Sequence, residues 1–477
     1  MARVLARAAS WASPVVRRLC TVASEAPVSE SASTAAVAEA SKAKHLYRRL
    51  SVLGGAPKGA VSKAMNKWLR EGRRIRAINV MKFVKELRNY KRYGHALELM
   101  EWMETRGMNM SYSNYAVRLA LICKVEGIDS AEKYFSNLSG PAKNRLTYGA
   151  LLNCYCTQKM EEKALALFDK MKELNYISNA LSYSNMMALY MKLGKPEKVP
   201  LLSQEMVDKG IPRNAFTYNL LMNSYAALND IESVERIFKE IKECDATNLQ
   251  WPIYSTLASV CISAGLTEKA KSALVMLEEN MDRKDRQCFH FLINLYAGTD
   301  NLEGVNRVWS SLKSAFPTTL NMSYFTMLQA LSRLNELDAL AQCFHEWESS
   351  CVTYDIRLAN ILFAAYLRRD MLKEADSLWE TLIHRGAEPD FRTFELFIDY
   401  YLNKKEFDLA LRYLNDAASK VKSEEWKPNK EKVDAFLRYF KEQKDVDSAE
   451  AFCQNLKKLN CLDPDIHNSL LQIYMSS

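Results

Sequence analysis

The stretch Asn214-Ala-Phe-Thr-Tyr-Asn-Leu-Leu-Met-Asn-Ser-Tyr225, followed closely by Asn229-Asp-Ile-Glu-Ser-Val234, decides the fold. In its first half Phe216, Leu220, Leu221, Ser224 and Tyr225 keep close to the i, i+4, i+8 spacing of one helix face. In the second, which runs to Ile241, Ile231, Val234, Ile237, Phe238 and Ile241 make another apolar stripe. Asn229 and Asp230, between the stripes, are N-cap residue types. The pattern predicts a helical hairpin with a short turn. A lone hairpin of this size cannot bury both stripes, so it needs neighbours of the same kind.

The neighbours are present. An aromatic ring returns at Tyr115, Tyr148, Tyr183, Tyr218, Tyr254, Phe289, Tyr324 and, past Ala359, at Phe394. The steps are 33, 35, 35, 36, 35, 35 and then twice 35 residues. A second register, sixteen residues behind, holds Ala96, Ala131, Ala164, Val199, Val234, Ala270, Val305, Leu340, Ala375, Ala410 and Ala449. Small side chains there suit close helix contact, where a large one would overpack. Period-2 alternation is nowhere sustained, so strands are not expected. The expected fold is all-α: a right-handed α-solenoid superhelix of about eleven helix-turn-helix repeats.

Within this frame Phe216-Thr-Tyr-Asn-Leu-Leu, Ala164-Leu-Ala-Leu-Phe-Asp-Lys-Met171 and Gly386-Ala-Glu-Pro-Asp390 resemble successive parts of a pentatricopeptide repeat. The 35-residue step differs from that of tetratricopeptide repeats, as does the missing Trp-x-x-Leu-Gly-x-x-Tyr pattern. The resemblance covers roughly Ala77 to Asn460, and the near-constant unit length resembles the P-type subfamily. Asn66-Lys-Trp-Leu-Arg-Glu-Gly72 and Val84-Lys-Glu-Leu-Arg-Asn-Tyr-Lys-Arg-Tyr93 resemble a plant mitochondrial group. The resemblance implies a helical solenoid that binds single-stranded RNA in its processing, stability or translation, or a component built into the mitochondrial ribosome.

Five segments are expected: a transit peptide over residues 1–20, a linker over 21–44, a basic helical segment over 45–76, the array over 77–463 and a capping half-repeat over 464–477. The leader carries Arg3, Arg7, Arg17 and Arg18 with no acid before Glu25, among Ala and Ser, as organelle transit peptides do. Arg18-Leu19-Cys20-Thr21 resembles a mitochondrial processing site, which favours the mitochondrial matrix over the chloroplast. The Ser/Ala/Glu-rich stretch after it reads as disordered. No run approaches the roughly 18 apolar residues of a membrane span.

The net charge of +8 is modest for a nucleic-acid binder, so its distribution matters more. Lys63 to Arg92 holds eleven Lys or Arg against Glu71 and Glu86 alone. This is either a solvated helix face or a contact for RNA phosphates, with Arg73, Arg74 and Arg76 at its centre. Lys124, Lys192, Arg333 and Arg368 recur near the ends of first helices. They read either as backbone contacts or as charges that complement the helix dipole.

Chemistry is sparse. Cys154 and Cys156 point in different directions on a helix, a poor start for one metal site, and read as core residues. None of the six histidines stands in His-x-Glu ahead of a Cys-x-x-Cys pair, so the deaminase domain of some family members is not expected. No phosphate-binding Gly-x-x-x-x-Gly-Lys-Ser/Thr loop occurs. Neither catalysis, cofactor nor metal is expected.

In the family, bases are selected by the residue after the aromatic register together with the last residue of the same unit. On this chain Asn360 with Asp390 resembles a uracil reader, Ser255 with Asp285 a guanine reader, and Ser184 with Asn214 an adenine reader. Asn219 faces Gln250 in the same scheme. Met81, Ala116, Gly149 and Phe325 cannot make a selecting hydrogen bond, His290 is paired with Leu320, and Glu395 would repel phosphates. The expected function is therefore non-catalytic RNA binding in mitochondria, to mRNA or rRNA. A ribosomal component touching rRNA and ribosomal proteins is the alternative, and a protein-binding scaffold the third. Import is expected to remove about twenty residues. Sequencing the organelle-purified chain should find a mature end near Thr21, and an intact Met1 would refute this.

Overall fold

A computed structural model of the protein describes residues 56–476, apart from 74, 245–248, 352 and 421–425, together with Leu46, Arg49, Leu50, Val52 and Leu53. The expected transit peptide and linker, and Arg74, lie outside the described residues. The described chain is helical, with no strand, and no helix in it is long and apolar enough to cross a membrane.

Two compact units divide the chain. The first, Met1–Ala273, holds α1 (Ala60–Arg70), α2 (Ala77–Asn89), α3 (Tyr93–Thr105), α4 (Tyr112–Val125), α5 (Ile128–Ser136), α6 (Arg145–Thr157) and α7 (Glu161–Glu173). It continues through α8 (Ala180–Lys192), α9 (Lys198–Asp208), α10 (Ala215–Ala227), α11 (Ile231–Cys244) and α12 (Trp251–Ser263). α13 (Thr267–Glu279) runs across the division. The second unit, Leu274–Ser477, continues with α14 (Arg286–Gly298), α15 (Leu302–Ala315), α16 (Asn321–Arg333), α17 (Leu337–Ser350), α18 (Ile356–Arg368) and α19 (Leu372–His384). It ends with α20 (Phe391–Lys404), α21 (Phe407–Lys420), α22 (Lys430–Gln443), α23 (Val446–Lys458) and α24 (Pro464–Ser476).

The turn that opened the sequence reading shows how each hairpin is made. Asn229 adopts the left-handed conformation, φ 58°, and closes α10. The Asp230 amide then returns to the Tyr225 carbonyl at 2.9 Å, while its carboxylate accepts the Ser233 amide at 3.0 Å and caps α11. The two expected caps thus divide the work: Asn229 ends one helix and Asp230 starts the next. Lys159, Gly194, Gly265, Asn335 and Asp370 hold the same left-handed place in their own hairpins.

Within each unit first helices pack in a row, α4 on α6, α8, α10 and α12 in turn, and α14 on α16, α18 and α20. All eleven positions of the small-residue register are at most 1% exposed. The aromatic register lies between hairpins: Tyr148 meets Phe135 edge-on at 5.0 Å, Tyr183 meets Phe168 at 5.3 Å and Tyr324 meets Trp309 at 5.3 Å.

The register's hydroxyls are served by a second regularity. Tyr183, Tyr218 and Tyr324 donate to Glu205, Glu240 and Glu346, each 22 residues downstream, at 3.1, 3.4 and 2.9 Å. Each carboxylate also binds a cation from the preceding hairpin: Lys172 at 2.9 Å, Arg213 at 2.9 Å and Lys313 at 2.7 Å. A relay therefore ties a first helix, its partner and the previous hairpin. Burial raises the Tyr183 and Tyr324 phenols further above their usual range. Burial pulls Glu205 and Glu346 upward, but Lys172 and Lys313, together with the Tyr183 and Tyr324 hydroxyls and, at Glu205, Lys209, jointly outweigh it and hold both carboxyls below normal.

Close approach is sharpest at Gly304, where an added Cβ would lie 2.6 Å from the Tyr296 ring. Gly304→Ala and Ala375→Leu should each cost about 1–3 kcal/mol by overpacking. Gly149→Ala, whose methyl meets nothing within 4 Å, should be neutral or stabilising. Chemical denaturation of the three variants checks this; a neutral Ala375→Leu would mean that the register does not mark the helix contacts.

Candidate nucleic-acid interface

The base-reading candidates fall near the N-terminal ends of first helices, and their bonds differ. Asn360, on α18, is 8% exposed, and its amide N–H donates to Asp390 Oδ1 at 3.0 Å. Asp390 is fixed in turn: it caps α20 by accepting the Thr393 amide at 2.9 Å. The Thr393 hydroxyl closes the circuit by donating to Asn360 Oδ1 at 2.8 Å. Asn360 thus keeps one amide N–H and one carbonyl lone pair for another molecule, in a fixed orientation. The structure brings this pair together.

It does not join the others in the same way. Ser184 is 1% exposed, and its hydroxyl donates to the Ala180 carbonyl of its own helix at 2.7 Å. Asn214 accepts the Thr217 amide as the cap of α10. Asn219 Oδ1 accepts the Thr256 hydroxyl of the next first helix at 2.9 Å. Ser255 is buried on α12 in the first unit, and Asp285 caps α14 in the second.

Three positions outside the clear reader pairs, Glu395, His290 and Phe325, are engaged by contacts within the protein. Glu395 accepts Lys432 Nζ at 2.6 Å, and that Lys side chain, 9% exposed, also reaches Asp399 at 2.9 Å. The expected repulsion at Glu395 is therefore offset by a nearly buried cation. His290 meets the Ser323 hydroxyl at 2.8 Å, and burial, helped by the nearby Arg286 charge, pushes its pKa down to about 4. The ring is then neutral at pH 7. Arg357 lies over the Phe325 ring, 5.7 Å from its centre.

Lys124 stacks over Tyr93 at 4.2 Å, and Arg368 donates to the Ser332 hydroxyl at 2.8 Å. Lys192 and Arg333 are exposed at the ends of α8 and α16. In the basic segment, Arg73 lies 4.5 Å over Trp68 and 3.6 Å from Glu71. The Arg49 bond, with Arg73 beside it, holds Glu71 below the usual carboxylate range. Arg76 is exposed at the start of α2.

Two features escaped the sequence reading. Lys63, Lys67 and Arg70 are exposed on α1 at i, i+4 and i+7, one face of the helix, a spacing present in the sequence but counted there only as charge. Leu146, Leu181 and Met322 are 42–48% exposed, each three residues before the reading position of its hairpin, Gly149, Ser184 or Phe325, and so on its face. Apolar side chains there offer flat contact to a base. Cys154 and Cys156 are buried, and among the described residues no group of three or more His, Cys, Asp or Glu could hold a metal.

A row of stacked helical hairpins with capped, partly open first-helix ends defines a repeat scaffold, the α-solenoid class. The PPR repeat family profile matches residues 178–227, and the PPR repeat profile matches 146–176, 216–245 and 358–386. A mitochondrial pentatricopeptide repeat-containing protein of Arabidopsis thaliana is 38% identical over 98% of this chain and 93% of its own. The large ribosomal subunit protein mL101 (rPPR4) of the same plant is 44% identical over 91% and 88%. The crystal structure of the pentatricopeptide repeat protein PPR10 from maize shares the fold, with a TM-score of 0.55 at 15% identity over 97% of this chain and 72% of that one. A structure of PPR10 in complex with an 18-nt psaJ RNA element gives 0.50 at 14% identity, over 91% and 65%. The chain belongs to the pentatricopeptide repeat family.

Proposed function

We propose that this protein is a non-catalytic, single-stranded-RNA-binding repeat protein of the P type in mitochondria, acting in RNA processing, stability or translation. The observation that carries the reading is the Asn360–Asp390–Thr393 circuit, a buried amide held with hydrogen-bonding capacity to spare. Mitochondrial relatives and the Arg-rich leader support the location.

A second reading is residence in the mitochondrial ribosome. It is favoured by the 44% identity to mL101 and by the internal bonds that occupy Ser184, Asn219, His290 and Glu395. Both readings place backbone contact on the basic first helices, above all on Lys63, Lys67 and Arg70, since Arg73 is engaged with Trp68 and Glu71. For single strands, log affinity should fall with log salt by about 0.7 per phosphate contacted. Replacing Lys63, Lys67 and Arg70 with Gln should flatten that slope and weaken all RNAs alike. An unchanged slope would remove α1 from the interface.

Asn360→Ser should shift preference at one base from uracil toward guanine in assays on RNAs varied at a single position. No shift would mean that this hairpin does not read sequence. In a density gradient at moderate salt, a ribosomal resident migrates with the large particle, and a free RNA factor with lighter, nuclease-sensitive complexes.

A further inference from the structure

The basic stretch opens on α1, a helix that the protein holds in a fixed place. Val61, Met65 and Trp68 form its inner face and are at most 2% exposed. The Ser62 amide donates to Glu98 Oε1 at 2.8 Å, and the Trp102 indole N–H donates to Asn66 Oδ1 at 2.9 Å. Glu98 and Trp102 both stand on α3, so α1 is docked on the second helix of the α2–α3 hairpin. It therefore lies outside the row of first helices that carries the candidate readers.

The outer face is a stripe of hydrogen-bond donors. Lys63, Asn66, Lys67 and Arg70 fall at i, i+3, i+4 and i+7 and span about 10 Å of the axis. The acids nearby are engaged by other cations: Glu71 by Arg49 at 2.7 Å and Arg73 at 3.6 Å, and Glu101 by Lys58 at 3.9 Å. Lys67 adds only a weaker pull on Glu71 through space. Asn66 is a donor in a fixed orientation. Its Oδ1 accepts from Trp102 and, at 2.9 Å, from the Arg106 guanidinium, and both of these groups can only donate. The oxygen and nitrogen of the amide are thereby told apart, and its N–H groups have no partner among the described residues. Arg106 is exposed just past the end of α3 and carries the stripe onto that helix.

Two features say what such a face suits. The stripe donates throughout, which matches a partner whose outer groups accept, as phosphate and ribose oxygens do. It also presents no ring on which an unpaired base could stack. Trp68 and Trp102 are 2% and 3% exposed, with Arg49 and Arg73 over the first and Arg106 over the second. A single strand gains much of its affinity from such stacking. A base-paired stem hides its bases, holds its backbone oxygens in a fixed array and is bound through shape, phosphates and 2′-hydroxyls. A membrane fits less well, because an interfacial helix sinks its apolar face into lipid and that face of α1 is already buried in the protein. We propose that α1 docks the backbone of a base-paired RNA stem along Lys63, Asn66, Lys67 and Arg70, with Arg106 at the edge. The site rests on the RNA-binding reading above and deepens it by naming the form of RNA that this surface takes.

The full chain is titrated with a short, perfectly paired RNA stem and with an unpaired strand of the same length and composition. Lys63→Gln, Lys67→Gln and Arg70→Gln together should weaken the stem about tenfold or more, and unpaired strands of any sequence about threefold or less. The salt slope for the stem should fall by about one for each cation removed. Asn66→Asp keeps an acceptor for Trp102 and Arg106 but removes the free N–H groups, and should weaken the stem about fivefold. Thermal unfolding of each variant separates loss of the surface from loss of the fold. Equal losses on the two RNAs would reduce α1 to an unselective phosphate contact and overturn the site. A stem that does not bind, beside an unpaired strand that does, overturns the site and leaves the RNA-binding reading intact. Phosphatidylcholine vesicles with about one-fifth cardiolipin are the third probe. If they retain the protein through the three cations and the stem does not bind, α1 faces a membrane and the proposal is overturned. If neither RNA binds, the RNA-binding reading fails with it.

Discussion

Close contact between helices at one small, buried position per hairpin is the constraint on which the rest of the structure depends. A helical hairpin of some thirty-five residues has two apolar faces and too little of itself to cover them. Ala96, Ala131, Ala164 and their successors, all buried, let helices approach closely enough for neighbours to provide that cover. Once this spacing is set, the aromatic register has to fall between hairpins, where its rings meet edge-on across the join. Hydroxyls buried there need acceptors, and Glu205, Glu240 and Glu346 provide them. The same carboxylates reach back to a cation of the preceding hairpin, so one side chain stabilises both the hairpin and the stack.

The candidate interface follows from the same geometry. Where a first helix begins with a side-chain cap, the capping residue can also reach the preceding first helix. Asp390 shows the consequence: a residue needed to start α20 also orients Asn360 on α18. One carboxylate thus caps a helix and holds the amide proposed to read a base. Where the neighbouring residue is Ser184 or Glu395, the same local space closes on itself through Ala180 or Lys432, and less is left for a ligand.

The fold was legible because helix stacking repeats, and a repeated physical requirement leaves a repeated residue. The Asn214–Ile241 stretch alone pointed to a hairpin, which α10 and α11 form. The site was legible only in part. The spacing from Asn360 to Asp390 marks a pair, but Thr393, which completes the circuit, is an ordinary capping-box residue in sequence. The link from Tyr to Glu over 22 residues, seen at Tyr183, Tyr218 and Tyr324 among the described residues, hides among many carboxylates. The basic segment showed its charge but not its orientation: Arg73 stacks on Trp68, whereas Lys63, Lys67 and Arg70 share an exposed face. Nothing in the sequence shows that Glu98, one acid among many, is buried with an open acceptor.

The central claim is that the stacked hairpins hold RNA. Its most direct test is ultraviolet crosslinking of the full-length protein inside intact mitochondria, followed by sequencing of the attached RNA and mapping of the crosslinked peptides. The account predicts recovered RNA joined to peptides from α1 and from the first-helix ends around Asn360. Absence of RNA above an uncrosslinked control, with the protein recovered intact, would contradict it.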